Sequence, residues 1–240
     1  MLAVLQGIIL TMLYSRTPDS FIINLNDKED DFLFATERYD RKILDTSKEL
    51  MGKKVPLRLH QEDFAQALGI TASQKYEKTG KDYLADVFEL IKNYSSNPIE
   101  DQIRLWDLCI FNYLIGNTDN HVKNIALLYS EDLKGIRLAP AYDLLSTVIY
   151  DSSTEKMSLN IDGEYDIRNI NQKSFENEAK KLGLGKGIAT QHFLSMVEKF
   201  EMALEQSTYE LEEQGYGVAV DIQKQILKKA GIHNFKLTNP

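Results

Sequence analysis

The chain has 240 residues, 43% of them hydrophobic and 27% charged, with a formal net charge of −8 and an isoelectric point near 5.1. That length suffices for a packed core in one large domain or two small ones, and the acidic balance excludes a general nucleic-acid-binding surface, which needs a basic excess. A single cysteine, Cys109, excludes a disulfide framework and fits a reducing, cytoplasmic setting.

In chain order, the uncharged opening "MLAVLQGIILTMLY" falls short of the roughly 20 apolar residues a membrane helix needs. It also lacks the basic flank and small-residue cleavage site of a signal peptide, so a buried helix and no membrane association are expected. Two β-prone runs, Phe21 to Leu25 and Phe32 to Ala35, flank a polar turn holding Asn26, Asp27 and Asp30, the pattern of a β-hairpin. Residues 36–56 read as a linker, and 44–60 as irregular chain punctuated by Gly52 and Pro56. "HQEDFAQALGI" predicts a short helix closed by Gly69.

The clearest helix is "NPIEDQIRLWDLCIFNYLIGN". Asn97 can cap it, and Pro98 suits the first helical position, where its missing N–H is an orphan in any case. Ile99, Ile103, Trp106, Ile110 and Leu114 recur at spacings of three and four as a core-facing stripe, with Cys109 as a core thiol, and Gly116 supplies a left-handed stop. "IALLYS" and "GIRLAPAYD" bracket a second hairpin turning at Glu131 to Gly135. From about residue 174 the pattern is helical, with buried faces at Phe193, Met196, Val197, Phe200 and Leu204 and again over Val218 to Ala230. "GLGKG" follows a helical pattern, not a strand, so it reads as a loop and not a phosphate cradle. The expected fold is α+β and predominantly helical, with residues 1–41 as a small unit and 42–240 as the body.

The polar phrase "GNTDNHVKN" hangs off the end of that buried helix. Asn and Asp oxygens are hard ligands suited to Mg²⁺, which shares its shell with waters and phosphate oxygens. An Asp followed five positions later by Asn, with a further Asp beyond a hairpin, is the division of labour of a phosphoryl-transfer site. Asp119, Asn124 and Asp143 hold those positions. Polar turns of this composition also form for backbone reasons alone, so spacing by itself leaves both readings open.

The phrases "ERYDR", "RLHQEDFAQALG", "KYE", "LIGNTDNHVKNIALL", "LAPAYDLLS" and "MSLNIDG", in this order, resemble the HipA family of bacterial toxin-type serine/threonine kinases. The resemblance implies a protein-kinase-like large lobe with a partial small lobe, using ATP and Mg²⁺. It implies Asp119 as the catalytic Asp and Asn124 and Asp143 as Mg²⁺ ligands. His121 and Lys123 would line the nucleotide phosphates, Tyr142 would sit beside the metal-binding Asp, and backbone groups of Glu37 and Tyr39 would meet the adenine. His60 and Glu62 are assigned structural roles, and Glu77 is read as a surface residue.

The family also carries a Gly-rich loop and a strand lysine ahead of the hinge. Residues 1–36 hold only Gly7 and no strand lysine, Lys28 falling in the hairpin turn, and no site of autophosphorylation can be assigned. A truncated gene, a split system whose N-terminal lobe is a separate chain, or a proteolytic piece would each give this sequence, and weak activity of the chain alone is expected. The implied partners are a helix-turn-helix antitoxin and a protein of the translation machinery such as an aminoacyl-tRNA synthetase, with no direct nucleic-acid contact. Two other readings are a catalytically inactive kinase-fold binding module and a metallophosphatase or nuclease. The second of these needs two metals clamped by several His and Asp, and the four His of this chain do not supply that pattern.

Overall fold

The computed structural model describes residues 17–25, 32–78 and 80–236. The helix expected over the first fourteen residues and the hairpin turn at Asn26, Asp27, Lys28 and Asp30 lie outside the described residues. Within them the fold is α+β with substantial helical content. The N-terminal hairpin forms as expected, β1 (Ser20–Asn24) pairing antiparallel with β2 (Phe32–Thr36) and Ile22 facing Phe34.

The segment expected to be irregular is instead two small ladders. In one, β3 (Arg41–Lys42) pairs with β6 (Leu57–Arg58), and in the other β4 (Glu49–Leu50) pairs with β5 (Lys53–Lys54). Two-residue strands are too short to show an alternating pattern, which is why the sequence conceals them. The inner turn at Met51 and Gly52 needs positive φ at both residues, 50° and 75°, the geometry of a tight type I′ connection.

β7 (Gln61–Asp63), β8 (Ala126–Tyr129) and β9 (Ile136–Leu138) form a three-stranded antiparallel sheet in that order. The second hairpin is thus present, with Leu127 opposite Leu138. The helix expected from His60 starts later, as α1 (Phe64–Ala67), because pairing with β8 claims the backbone of Gln61 to Asp63. Asp63 then caps it in a reciprocal box with Gln66. His60 packs on the Tyr129 ring and Glu62 accepts from the Tyr129 hydroxyl, the structural roles expected of both.

α2 (Tyr83–Tyr94) packs on α3 (Pro98–Ile115), the axis of the molecule. Every residue of α3 from Leu105 to Ile115 is buried, so its C-terminal half is enclosed on all sides. Ile99, expected on the core stripe, is 72% exposed, on the side of the first turn opposite fully buried Asp101. Asn97 occupies the N-cap position without a capping bond and donates instead to Glu100. Cys109 is a buried free thiol whose pKa burial pushes up. Trp106 is fully enclosed, its indole N–H donating 3.1 Å to the Ala189 carbonyl and its ring edge-on to Phe175.

Asp101, on the first turn of α3, is a buried junction. Arg137 grips its carboxylate through two nitrogens at 3.0 and 3.1 Å, Arg104 reaches it at 3.1 Å, and the Ser95 hydroxyl and Leu138 N–H complete the shell at 2.6 and 2.9 Å. This group joins α3 to β9.

Gly116 ends α3 in the left-handed conformation, φ 71°, as the sequence implies. A Cβ there would lie 2.3 Å from Val148 Cγ1 and 3.0 Å from Ala230 Cβ. Strain and overpacking together make Gly116→Ala cost about 2–4 kcal/mol, readable as a lowered urea midpoint at unchanged m-value.

β10 (Lys156–Ile161) and β11 (Glu164–Asp166) turn through Asp162 and Gly163, both at positive φ. The helices α4 (Gln172–Lys181), α5 (Lys186–Glu213), α6 (Val218–Lys229) and α7 (His233–Lys236) complete the body. Of the "GLGKG" segment, Gly183 to Gly185 form the expected loop after α4, while Lys186 and Gly187 already belong to α5. Phe193, Met196, Phe200 and Leu204 are buried, Val197 packs at the margin, and Val218 at the start of α6 is exposed. No helix among the described residues is long and apolar enough to cross a membrane.

Candidate active site

The loop from α3 to β8 folds on itself. The His121 N–H donates to the Asp119 carbonyl at 2.9 Å, the Asn124 N–H to the His121 carbonyl at 2.8 Å, and the Asn124 side-chain amide to the Asp119 carbonyl at 3.1 Å. No donor among the described residues meets the Asn124 Oδ1, which stays an open acceptor.

A second loop, from β9 toward β10, is tied to the first. The Tyr142 hydroxyl donates to the Lys123 carbonyl at 2.8 Å, and Asn117 donates to the Asp143 carbonyl at 3.1 Å and to Asn112 at 2.8 Å. These bonds tie the loop that carries Asp143 to the loop that carries Asn124. Asp143 has φ 55°, a left-handed conformation that costs a non-glycine residue of order 1 kcal/mol. Among the described residues no protein donor reaches the Asp143 carboxylate.

Asp119 is held differently. Its Oδ1 accepts a 2.8 Å hydrogen bond from the Tyr76 hydroxyl, and no other donor among the described residues meets its carboxylate. The loop floor is stitched by the Ser158 hydroxyl donating to the Thr118 carbonyl at 2.6 Å and the Thr118 N–H to the Thr147 hydroxyl at 2.7 Å. His121 is 5% exposed and its Nδ1 is buried without a hydrogen-bond partner. Burial depresses its pKa, with Lys75 adding to the effect against Asp119 and Asp143, so the imidazole is neutral at pH 7.

Two clefts flank the loops. One, of about 540 Å³, is bounded by Phe34, Glu37, Tyr39, Tyr142 and Asp143. Tyr39 and Tyr142 lie roughly parallel across it, ring centroids 6.3 Å apart, and burial raises the Tyr39 phenol to about 12. The Glu37 N–H is taken by the Asp19 carbonyl, while its own carbonyl and the Tyr39 N–H have no backbone partner among the described residues. The other cleft, of about 680 Å³, is bounded by Tyr76, Lys78, Thr118, Asp119 and Lys156. Asp119 therefore lines one cleft and Asp143 the other.

Next to Tyr39, buried Asp40 accepts from Arg38 through two nitrogens, both at 2.7 Å, and from Arg41 at 2.9 Å. Those guanidinium groups, opposed by burial, hold its carboxyl below the usual range.

The structure thus brings Asp119, His121, Lys123, Asn124, Tyr142 and Asp143 together on two bonded loops, with Glu37 and Tyr39 facing them across the first cleft. Lys123 is not free: its ammonium pairs with Asp63 at 2.7 Å. Glu77, read from sequence as a surface residue, is 9% exposed and accepts from the Tyr83 and Asn160 backbone N–H groups and the Asn160 side chain. Burial raises its pKa against those hydrogen bonds. Sequence reasoning also passed over Tyr76, Asn117 and Asp63. The one signal for Tyr76 and Glu77 was their place in the phrase "KYE".

No group of three or more His, Cys, Asp or Glu among the described residues is arranged to hold a metal. One Asn and one Asp with uncapped oxygens are nevertheless a fitting partial set for Mg²⁺, which keeps several waters and takes ligands from phosphate.

The site is oxygen-rich and sits on two loops between two clefts, and the α+β fold that carries it is shared with two solved structures. The HipA chain of the Shewanella oneidensis MR-1 HipA, HipB and operator DNA complex matches with a TM-score of 0.78 at 23% identity, over 95% of this chain and 54% of that one. The Helicobacter pylori proinflammatory kinase CtkA matches with a TM-score of 0.55 at 16% identity, over 98% and 85%. The HipA-like C-terminal domain matches residues 10–206, and the chain belongs to that family. Among curated relatives, the putative kinase Y4mE of Sinorhizobium fredii is 36% identical over 164 residues, 68% of this chain and 37% of that protein. The serine/threonine-protein kinase toxin HipA of Shewanella oneidensis is 28% identical over 181 residues, 71% and 40%. The chain thus spans less than half the length of these two relatives.

Proposed function

We propose that the chain is the core of a HipA-type serine/threonine protein kinase, transferring the γ-phosphate of Mg-ATP to a protein hydroxyl. The described body would be the large lobe, with the β1–β2 hairpin as part of a small lobe joined through residues 37–41. The observation that carries the reading is the set of open oxygens on Asp119, Asn124 and Asp143, presented by two bonded loops where two clefts approach.

In this reading the first cleft takes the nucleotide. The free Glu37 carbonyl and Tyr39 N–H match the donor and acceptor on one edge of adenine, and the Tyr39 and Tyr142 rings bound the base. Asn124 and Asp143 would hold Mg²⁺, which supplies charge neutralisation at the phosphates when bound. Neutral His121 and the Lys123–Asp63 pair lie beside the phosphates. Asp119, facing the second cleft, accepts the proton of the attacking hydroxyl.

Residues 1–36 carry no Gly-rich loop or strand lysine, and Phe21, Ile23 and Leu33 on the hairpin are 49%, 42% and 51% exposed. The exposed apolar residues of that hairpin suit a further lobe packing on it, as a preceding part of the same protein or as a separate chain, that completes the nucleotide clamp. The HipB of the Shewanella toxin–antitoxin complex supports an antitoxin as partner; that it is a helix-turn-helix protein, and that the substrate belongs to the translation machinery, such as an aminoacyl-tRNA synthetase, rests on the family resemblance alone. A second reading is a kinase-fold binding module without catalysis.

Calorimetric titration of the purified chain with ATP, with and without Mg²⁺, tests the proposal. A Mg²⁺-dependent heat with a saturable 1:1 isotherm is expected. No binding in either condition would sink the kinase-core reading for this chain and leave the module.

A further inference from the structure

The Tyr76 contact has no place in the roles so far assigned. Its hydroxyl lies 2.8 Å from Asp119 Oδ1, on a residue 43 positions earlier in the chain. The phenol is held from several sides. The Lys75 ammonium lies 4.7 Å from the ring centroid, and the His121 imidazole meets the ring edge-on with centroids 5.4 Å apart. The next residue, Glu77, is buried and fastened to β10 by the Asn160 N–H at 2.8 Å, and its own N–H reaches the Ser158 carbonyl at 3.3 Å. That anchorage fixes the backbone from which Tyr76 projects. The ring itself is 48% exposed at the mouth of the second cleft.

A carboxylate that takes a proton in the transition state is efficient only when its accepting oxygen is already aimed, since freely rotating groups lose most of the advantage of proximity. Asp119 has a single side-chain donor among the described residues, and that donor occupies one of its two oxygens. We propose that Tyr76 is a positioning residue. By holding Oδ1 it orients the Asp119 carboxylate, so that Oδ2 receives the proton of an acceptor hydroxyl arriving through the second cleft.

The step balances. The acceptor oxygen bonds to the γ-phosphorus as the bond from that phosphorus to the ADP oxygen breaks, and the acceptor proton passes to Asp119 Oδ2. Tyr76 keeps its own proton throughout and donates to Oδ1. The inference rests on the kinase reading, and it assigns "KYE" a purpose: Lys75 and Glu77 brace the tyrosine that aims the base.

The test compares wild type, Tyr76→Phe and Asp119→Asn in the 240-residue chain. Transfer of labelled phosphate from Mg-ATP to dephosphorylated casein is measured, with Mg-ATP affinity and ¹³Cζ-tyrosine NMR in parallel. Tyr76→Phe is expected to lower kcat roughly ten- to a hundred-fold, with Mg-ATP affinity unchanged within about two-fold and an unchanged melting temperature. The Tyr76 Cζ resonance is expected to move in Asp119→Asn. Wild-type kcat in Tyr76→Phe, a parallel loss of Mg-ATP affinity, or an unmoved Cζ resonance would each overturn the inference and leave the kinase reading intact. Wild type that binds Mg-ATP and transfers nothing would instead overturn the transfer reading, and this inference with it.

Discussion

Asp119→Asn is expected to leave Mg-ATP binding intact while lowering phosphoryl transfer by about 10²–10⁴-fold, the usual worth of a positioned general base. Asp143→Ala is expected to remove the Mg²⁺-dependent part of ATP affinity altogether. The contrast follows from where the two carboxylates lie. Asp143 lines the cleft bounded by Tyr39 and Tyr142, and the Tyr142–Lys123 bond ties its loop to that of Asn124. Asp119 lines the other cleft and meets Tyr76. A calorimetric titration of each variant, paired with the casein assay, separates the two roles. If both substitutions abolished binding equally, Asp119 would belong to the metal site and the assignment of a base would fall.

Asp101→Ala carries the largest expected effect on stability. The carboxylate is fully buried, and two arginines, the Ser95 hydroxyl and the Leu138 N–H all converge on it. Removing it takes the buried anion from both arginines, leaving Arg104 the Leu138 and Ala139 carbonyls and part-exposed Arg137 its Glu100 pair, and strands the Leu138 N–H, a loss of about 3–5 kcal/mol. For a chain of this size that is a fall in Tm of roughly 6–20 °C.

The same group gives stability a pH dependence. Burial pushes the Asp101 carboxyl up, but Arg137, Ser95 and the Leu138 N–H together outweigh it and hold the group below the usual carboxylate range. A depressed folded-state pKa contributes stability above the unfolded value of about 3.9, and that contribution is lost as pH falls through the folded value. The stability gap between wild type and Asp101→Asn is therefore expected to be constant above pH 5 and to narrow toward pH 3. Urea unfolding at each pH measures it, and a gap that widened in acid would contradict the shift.

Much of the body was readable because its punctuation is local. Pro98 and Gly116 bound one helix at the residues the structure uses, and the hairpin over Ala126 to Leu138 follows from two short β-prone runs around a turn. The "GNTDNHVKN" loop drew notice by composition alone. What stayed hidden depends on pairs remote in sequence. Tyr76 meets Asp119, Lys123 meets Asp63, and Glu77 meets Asn160 only once the chain has folded. No short window records those distances, so Glu77 passed as surface. Ile99 failed for a different reason: on the first turn of its helix the buried side is the one that carries Asp101, a charged residue that a hydrophobic periodicity does not count.

The enclosure of Trp106 has a practical use. It is the molecule's single tryptophan, sealed between α3 and α5 and absent from the walls of both clefts. Its emission therefore belongs to the helical body alone. Blue-shifted light certifies an intact interior, a red shift signals melting, and nucleotide entering beside Tyr39 leaves the spectrum still. One fluorimeter trace can thus tell a variant that has lost its architecture from one that has lost only its chemistry.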